Sequence, residues 1–141
     1  MQIDFSDYRV ALIGVGLLLL MVFVQWMVGN GRKAKEAGAL PGTPPKHLSH
    51  QDFTFRAWRT HQNTLENLGT MLGASFLAIV AGANPFWVAL LVWVMLFGRL
   101  VHMILYYAIA TDKNPSPRSY FFGLAWLANL ALLILGLIAL L

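Results

Sequence analysis

Four long apolar runs joined by three short connections decide what this chain can fold into. Val10 to about Val28 is interrupted only by Gln25; Leu65 to Val80 holds the small residues Gly69, Gly73, Ala74 and Ser75. Phe86 to about Ala110 and Tyr120 to Leu141 follow, the last with Asn129 as its one strongly polar member. About 20 apolar residues in a helix cross a hydrocarbon layer of about 30 Å. A helix also satisfies its own backbone hydrogen bonds where no water is present. With 58% hydrophobic and 11% charged residues, the chain cannot cover a soluble domain with a polar surface. The sequence therefore predicts an all-α integral membrane protein, one domain over 1–141, with helices over 10–28, 56–81, 86–110 and 119–141 in an up-down-up-down bundle.

The connections carry their own signals. Asp4 and Asp7 precede the first run and no small-x-small site follows it, so it reads as a span and not as a signal peptide. Asn30-Gly31 reads as its end, before a basic loop punctuated by Gly38, Pro41, Gly42, Pro44 and Pro45. Asp52 suits the cap of the second helix and Pro85 the first turn of the third. Lys and Arg fall almost wholly in the first and third loops, which the positive-inside rule assigns to the cytoplasmic side of a bacterial inner membrane or endoplasmic reticulum. The net charge of +4 therefore speaks for lipid headgroups and against nucleic acid. Without cysteine there is no disulfide and no protein thiolate, so any reactive sulfur must come from a ligand.

Into this apolar frame runs a polar stretch, Phe55 to Leu68. At 3.6 residues per turn Arg56, Arg59, Asn63, Glu66 and Thr70 share one face, with Gln62 at its edge and His61 nearly opposite, where an interfacial or interhelical contact is expected. In the third helix Arg99, His102 and Tyr106 stand at i, i+3 and i+7. Glu66 and Arg99 lie at similar depth, on the order of 10 Å below the interface, and are expected to pair. A lone charge at a helix centre costs about 2.5 to 3.5 kcal/mol. Such a pair could do no more than fix helix register. Arg59, Asn63, Glu66, His102, Tyr106, Arg118, Ser119 and Arg32 nevertheless all belong to one membrane half. Their mainly cationic chemistry suits a small ligand with several carboxylates and an ammonium group.

Other polar residues read more plainly. His47 and His50 fit a solvated Pro-rich loop, and no metal site is expected there. Asn129 suits an interhelical hydrogen bond. Trp26, Trp58 and Trp87 suit the interfacial belt.

Arg59-Thr60-His61-Gln62-Asn63-Thr64-Leu65-Glu66 is similar to the Arg-Ala-His-x-Asn-x-x-Glu motif of the MAPEG family, the membrane-associated proteins in eicosanoid and glutathione metabolism. Asn84-Pro85-Phe86, Gly98-Arg99 with His102 and Tyr106, and Arg118-Ser119 extend the resemblance over about residues 53 to 130. It implies a homotrimer binding glutathione between adjacent subunits in the cytoplasmic half. Arg32, Arg59, Gln62, Asn63, Glu66, His102 and Tyr106 are then glutathione-binding positions, Arg118 and Ser119 hold the thiolate, and Arg99 braces Glu66. Gln62 and Phe122 stand where relatives carry arginine and tyrosine. The implied activity is a membrane-bound glutathione transferase or peroxidase acting on lipophilic electrophiles. The alternative within the family is a non-enzymatic lipid-binding or scaffolding protein.

Overall fold

The computed structural model describes residues 4–141. Among them, a 3-10 turn at Phe5–Tyr8 leads into four α-helices: α1 (Arg9–Lys33), α2 (Phe53–Val80), α3 (Pro85–Ala108) and α4 (Pro117–Ala139). Neighbouring pairs run α1, α2, α4, α3 around the bundle, and α2 and α3 also meet across its diagonal. This order matters because it sets the Thr64 side of α2 against Arg99 of α3, with the start of α4 beside them.

Local chemistry explains the boundaries. The Asp52 carboxylate accepts from the Thr54 amide at 2.7 Å, so α2 begins three residues before the expected Arg56. Asn84 Oδ1 accepts from the Phe86 amide at 3.1 Å, with Pro85 in the first turn of α3. Gly82, at φ +73, ends the α2–α3 turn in a conformation that side chains rarely adopt. The one substantial departure from expectation is α1, which continues through Asn30-Gly31 to Lys33. Just before that pair, a Cβ on Gly29 would sit 3.3 Å from the Ala57 carbonyl oxygen, so the end of α1 packs closely on α2. Beyond it, Lys33 Nζ donates to the Thr43 carbonyl, and the Lys46 amide donates to Glu36 at 2.9 Å, which folds the basic loop back on α1.

The core is apolar, with Leu18, Met71, Val92, Met95 and Leu132 fully or almost fully enclosed. The outer surface is apolar too: Leu20, Phe23, Phe76, Phe86, Leu127 and Ile138 are all exposed. A bundle apolar on both sides is built for lipid. The first helical segment, Phe5–Lys33, together with α3 and α4, is long and apolar enough to cross a membrane. α2 falls short of that standard because its first half carries the polar stretch.

Candidate functional site

The site begins with a glycine. A Cβ on Gly98 would lie 2.8 Å from the Phe121 carbonyl oxygen and 3.0 Å from Ala125 Cβ, so α3 and α4 touch backbone to backbone there. That contact brings Arg99, His102 and Tyr106 against the first turns of α4. The Arg118 guanidinium lies over the Tyr106 ring at 4.0 Å from its centroid. His102 meets the same ring edge-on at 5.5 Å and Phe122 at 6.0 Å.

Arg99 lies deeper and is 2% exposed. It donates to Thr64 Oγ1 at 2.8 Å, and its guanidinium stands 5.7 Å from the Phe122 ring centroid. Glu66 takes a different partner. Arg59 grips it through two hydrogen bonds, at 2.9 and 3.2 Å. Among the described residues the ion pair that Glu66 makes within 4 Å is with Arg59, not with the expected Arg99. The reason is direction: the Glu66 side chain is 55% exposed on the outer face of α2, two turns from Arg59, whereas Arg99 points into the bundle. Asn63, between them on α2, keeps a buried Oδ1 without a hydrogen-bond partner.

The loop before α2 closes the end of the site. Arg56, itself buried, donates to the carbonyls of His50 at 2.8 Å, Gln51 at 3.1 Å and Tyr107 at 3.3 Å. So tied, His50 presents its ring to Phe55 at 5.1 Å and to Tyr106 at 5.7 Å. Burial first, and then the positive charge of Arg118, hold the His50 imidazole below its ordinary pKa; Asp112 opposes this, and Arg56 and Arg59 add to it. The Arg32 guanidinium lies 4.9 Å from the Phe53 ring centroid, and Arg56 stands 5.5 Å from the same ring. The end of α1 thus sits one aromatic ring away from the loop clamp.

Ser119 does not stand free beside Arg118. Its Oγ accepts from the Ser116 amide at 3.2 Å and lies 3.1 Å from Ser116 Oγ, which closes the capping box of α4. Gln62 is half-buried at the edge of the α2 face, and His61 is buried on the flank where Ala57 and Trp58 meet Gly29 of α1. Asn129 donates to Thr70 Oγ1 at 3.1 Å, the interhelical bond expected of it. Three buried polar atoms of the Tyr106 cluster have no hydrogen-bond partner, Arg118 Nη1, His102 Nδ1 and His50 Nδ1, and Asn63 Oδ1 on α2 is a further one. Buried polar groups are costly to leave unpaired, so such a concentration marks a place where a ligand would supply the missing partners.

The sequence profile of the MAPEG family matches residues 10–138, which takes in all four helices. The chain belongs to the MAPEG family. No curated protein and no solved structure gives a significant match. For a MAPEG chain an integral membrane bundle follows, in keeping with the lipid-facing surface.

Two residues of this MAPEG chain join the cluster without having been expected there. Arg56 looked like one more member of the polar stripe but acts as the tie for the loop. His50 looked solvated yet packs on Tyr106. The available signal was slight: a histidine two residues before a helix cap, with an arginine one turn into that helix.

Proposed function

We propose that this MAPEG chain is a membrane-bound glutathione-dependent transferase or peroxidase acting on lipophilic electrophiles that enter from the bilayer. The observation that carries the proposal is Arg118, half-buried on the Tyr106 ring with one guanidinium nitrogen enclosed and unpartnered. The family includes glutathione transferases, and the donors and acceptors on this surface fit the peptide. Arg32 offers a fork for a carboxylate, Arg59 offers a second by exchanging Glu66 for the peptide, and Asn63 Oδ1 is without a partner and can accept from an ammonium. Gln62, Glu66, His102 and Tyr106 complete the binding surface in this reading.

Glutathione supplies the thiol nucleophile. Arg118 favours its ionised form: a thiol of pKa about 8.5 is mostly protonated at neutral pH, and each unit of lowering needs about 1.4 kcal/mol of preferential stabilisation. A guanidinium shielded by an aromatic ring interacts more strongly with an anion than one in open water. Ser119, through the capping box, sets the first turn of α4 and so the position of Arg118. The exposed Arg59–Glu66 edge of α2 suits a site completed by a neighbouring copy in a homotrimer, and the two basic loops favour a cytoplasmic mouth. Mixing glutathione with purified protein should produce thiolate absorbance, and Arg118→Ala should abolish it with the oligomer intact. No thiolate, together with no turnover of a generic aromatic electrophile, sinks the transferase reading.

One observation favours the second reading, a non-enzymatic lipid-binding or scaffolding protein: the Ser119 hydroxyl is engaged by Ser116 and not aimed at a ligand. Under that reading Arg118→Ala leaves glutathione binding and lipid binding unchanged.

A further inference from the structure

A cationic surface that stabilises a thiolate still needs somewhere for the thiol proton to go. Arginine cannot take it, since guanidinium stays protonated at all accessible pH. Glu66 is bound by two hydrogen bonds from Arg59 and faces outward. Ser119 is held in the cap of α4. Tyr106, buried beneath Arg118, carries its own proton at neutral pH. His102 sits one turn deeper than Tyr106 and is 4% exposed.

His50 differs from all of these. It lies in the loop at the end of the bundle, and its ring touches the same Tyr106 ring that carries Arg118. Its backbone is fixed by the carbonyl bond from Arg56, and its Nδ1 is buried without a partner. We propose that His50 is the general base of this site, the residue that takes the proton from the thiol bound at Arg118. This inference rests on the glutathione reading above.

In the step, His50 Nδ1 forms an N–H bond as the S–H bond breaks, and the electron pair stays on sulfur beside Arg118. The imidazolium then loses the proton on Nε2, the ring nitrogen that is not enclosed, to water at the mouth and returns to neutral. The charged groups facing His50 are Arg118 of α4, Asp112 of the α3–α4 loop and Arg56 and Arg59 of α2. Three cations against one carboxylate keep the imidazole neutral at rest and drive off a proton once it has been relayed. His50 therefore governs how fast the thiolate forms, and Arg118 how much of it forms.

Stopped-flow thiolate absorbance with glutathione and the full-length protein in detergent separates these roles. His50→Ala and His50→Asn should both slow thiolate formation by about 100-fold, the usual scale of a general base. The final amplitude should change by less than about twofold, and added imidazole should restore the rate of His50→Ala. Asparagine keeps the polar contact and much of the size but takes no proton. A normal rate in His50→Asn with a slow His50→Ala would reduce His50 to a packing residue and overturn the proposal. Unchanged rates in both variants overturn it as well, with the transferase reading intact. Absence of thiolate in the unsubstituted protein overturns both.

Discussion

Tyr106 gathers the site around one ring: Arg118 on its face, His102 at its edge and His50 against it from the loop. Replacing Tyr106 with leucine should release Arg118 and weaken glutathione binding by about 1 to 2 kcal/mol, the range of a shielded cation–aromatic contact; isothermal titration would read it. Thr64→Val leaves the Arg99 guanidinium short of its partner and should cost about 1 to 3 kcal/mol in thermal unfolding in detergent. His50 binds its proton less readily in the fold than in the unfolded chain. Its contribution to stability is therefore complete above about pH 6.5 and is lost as pH falls through that value towards the lower pKa of the fold. Melting temperatures measured between about pH 7 and pH 5 should fall less steeply in His50→Asn than in the unsubstituted protein. The sequence placed Arg59, Asn63, Glu66, His102, Tyr106 and Arg118 in one membrane half, because helical spacing fixes depth and face. It did not reveal that Arg59 holds Glu66 directly, because depth alone ignores the direction a side chain takes. It overlooked His50, because a loop has no period from which a contact can be read.

Among the elements, α3 and α4 depend on Gly98. Gly98→Val would drive side-chain atoms into the Phe121 carbonyl and Ala125, and helices in mutual backbone contact have little room to give. The variant should lose about 1 to 3 kcal/mol of stability, and Arg118 should move off Tyr106, seen as a loss of glutathione thiolate even where the bundle still assembles. The number and order of the helices were legible in the apolar runs, and Asp52 and Pro85 signalled that α2 and α3 begin near them, although α2 starts three residues earlier than read. The end of α1 was not. Asn30-Gly31 has the composition of a stop, yet the helix continues past it to Lys33, with Gly29 packed on Ala57 just before.

At the scale of the whole molecule, a polar cluster occupies one end of a bundle whose remaining surface faces lipid. Leu20, 57% exposed in the middle of α1, belongs to that surface. Leu20→Arg should reduce insertion of the first span by about 2.5 to 3.5 kcal/mol in a glycosylation-based partitioning assay, with the site residues untouched. The two ends of the bundle are also connected through α4. Near its far end Gly136 lies so close to α2 that a Cβ would come within 2.9 Å of the Ala78 amide nitrogen. Gly98 fixes α4 to α3 at the near end in the same manner. Pinned twice, α4 has no freedom to slide along its axis, so Arg118 is held at its depth in part by a contact about 27 Å away. A bulkier residue at position 136 would act as a shim, shifting the guanidinium from across the membrane and altering the chemistry of the site without touching it.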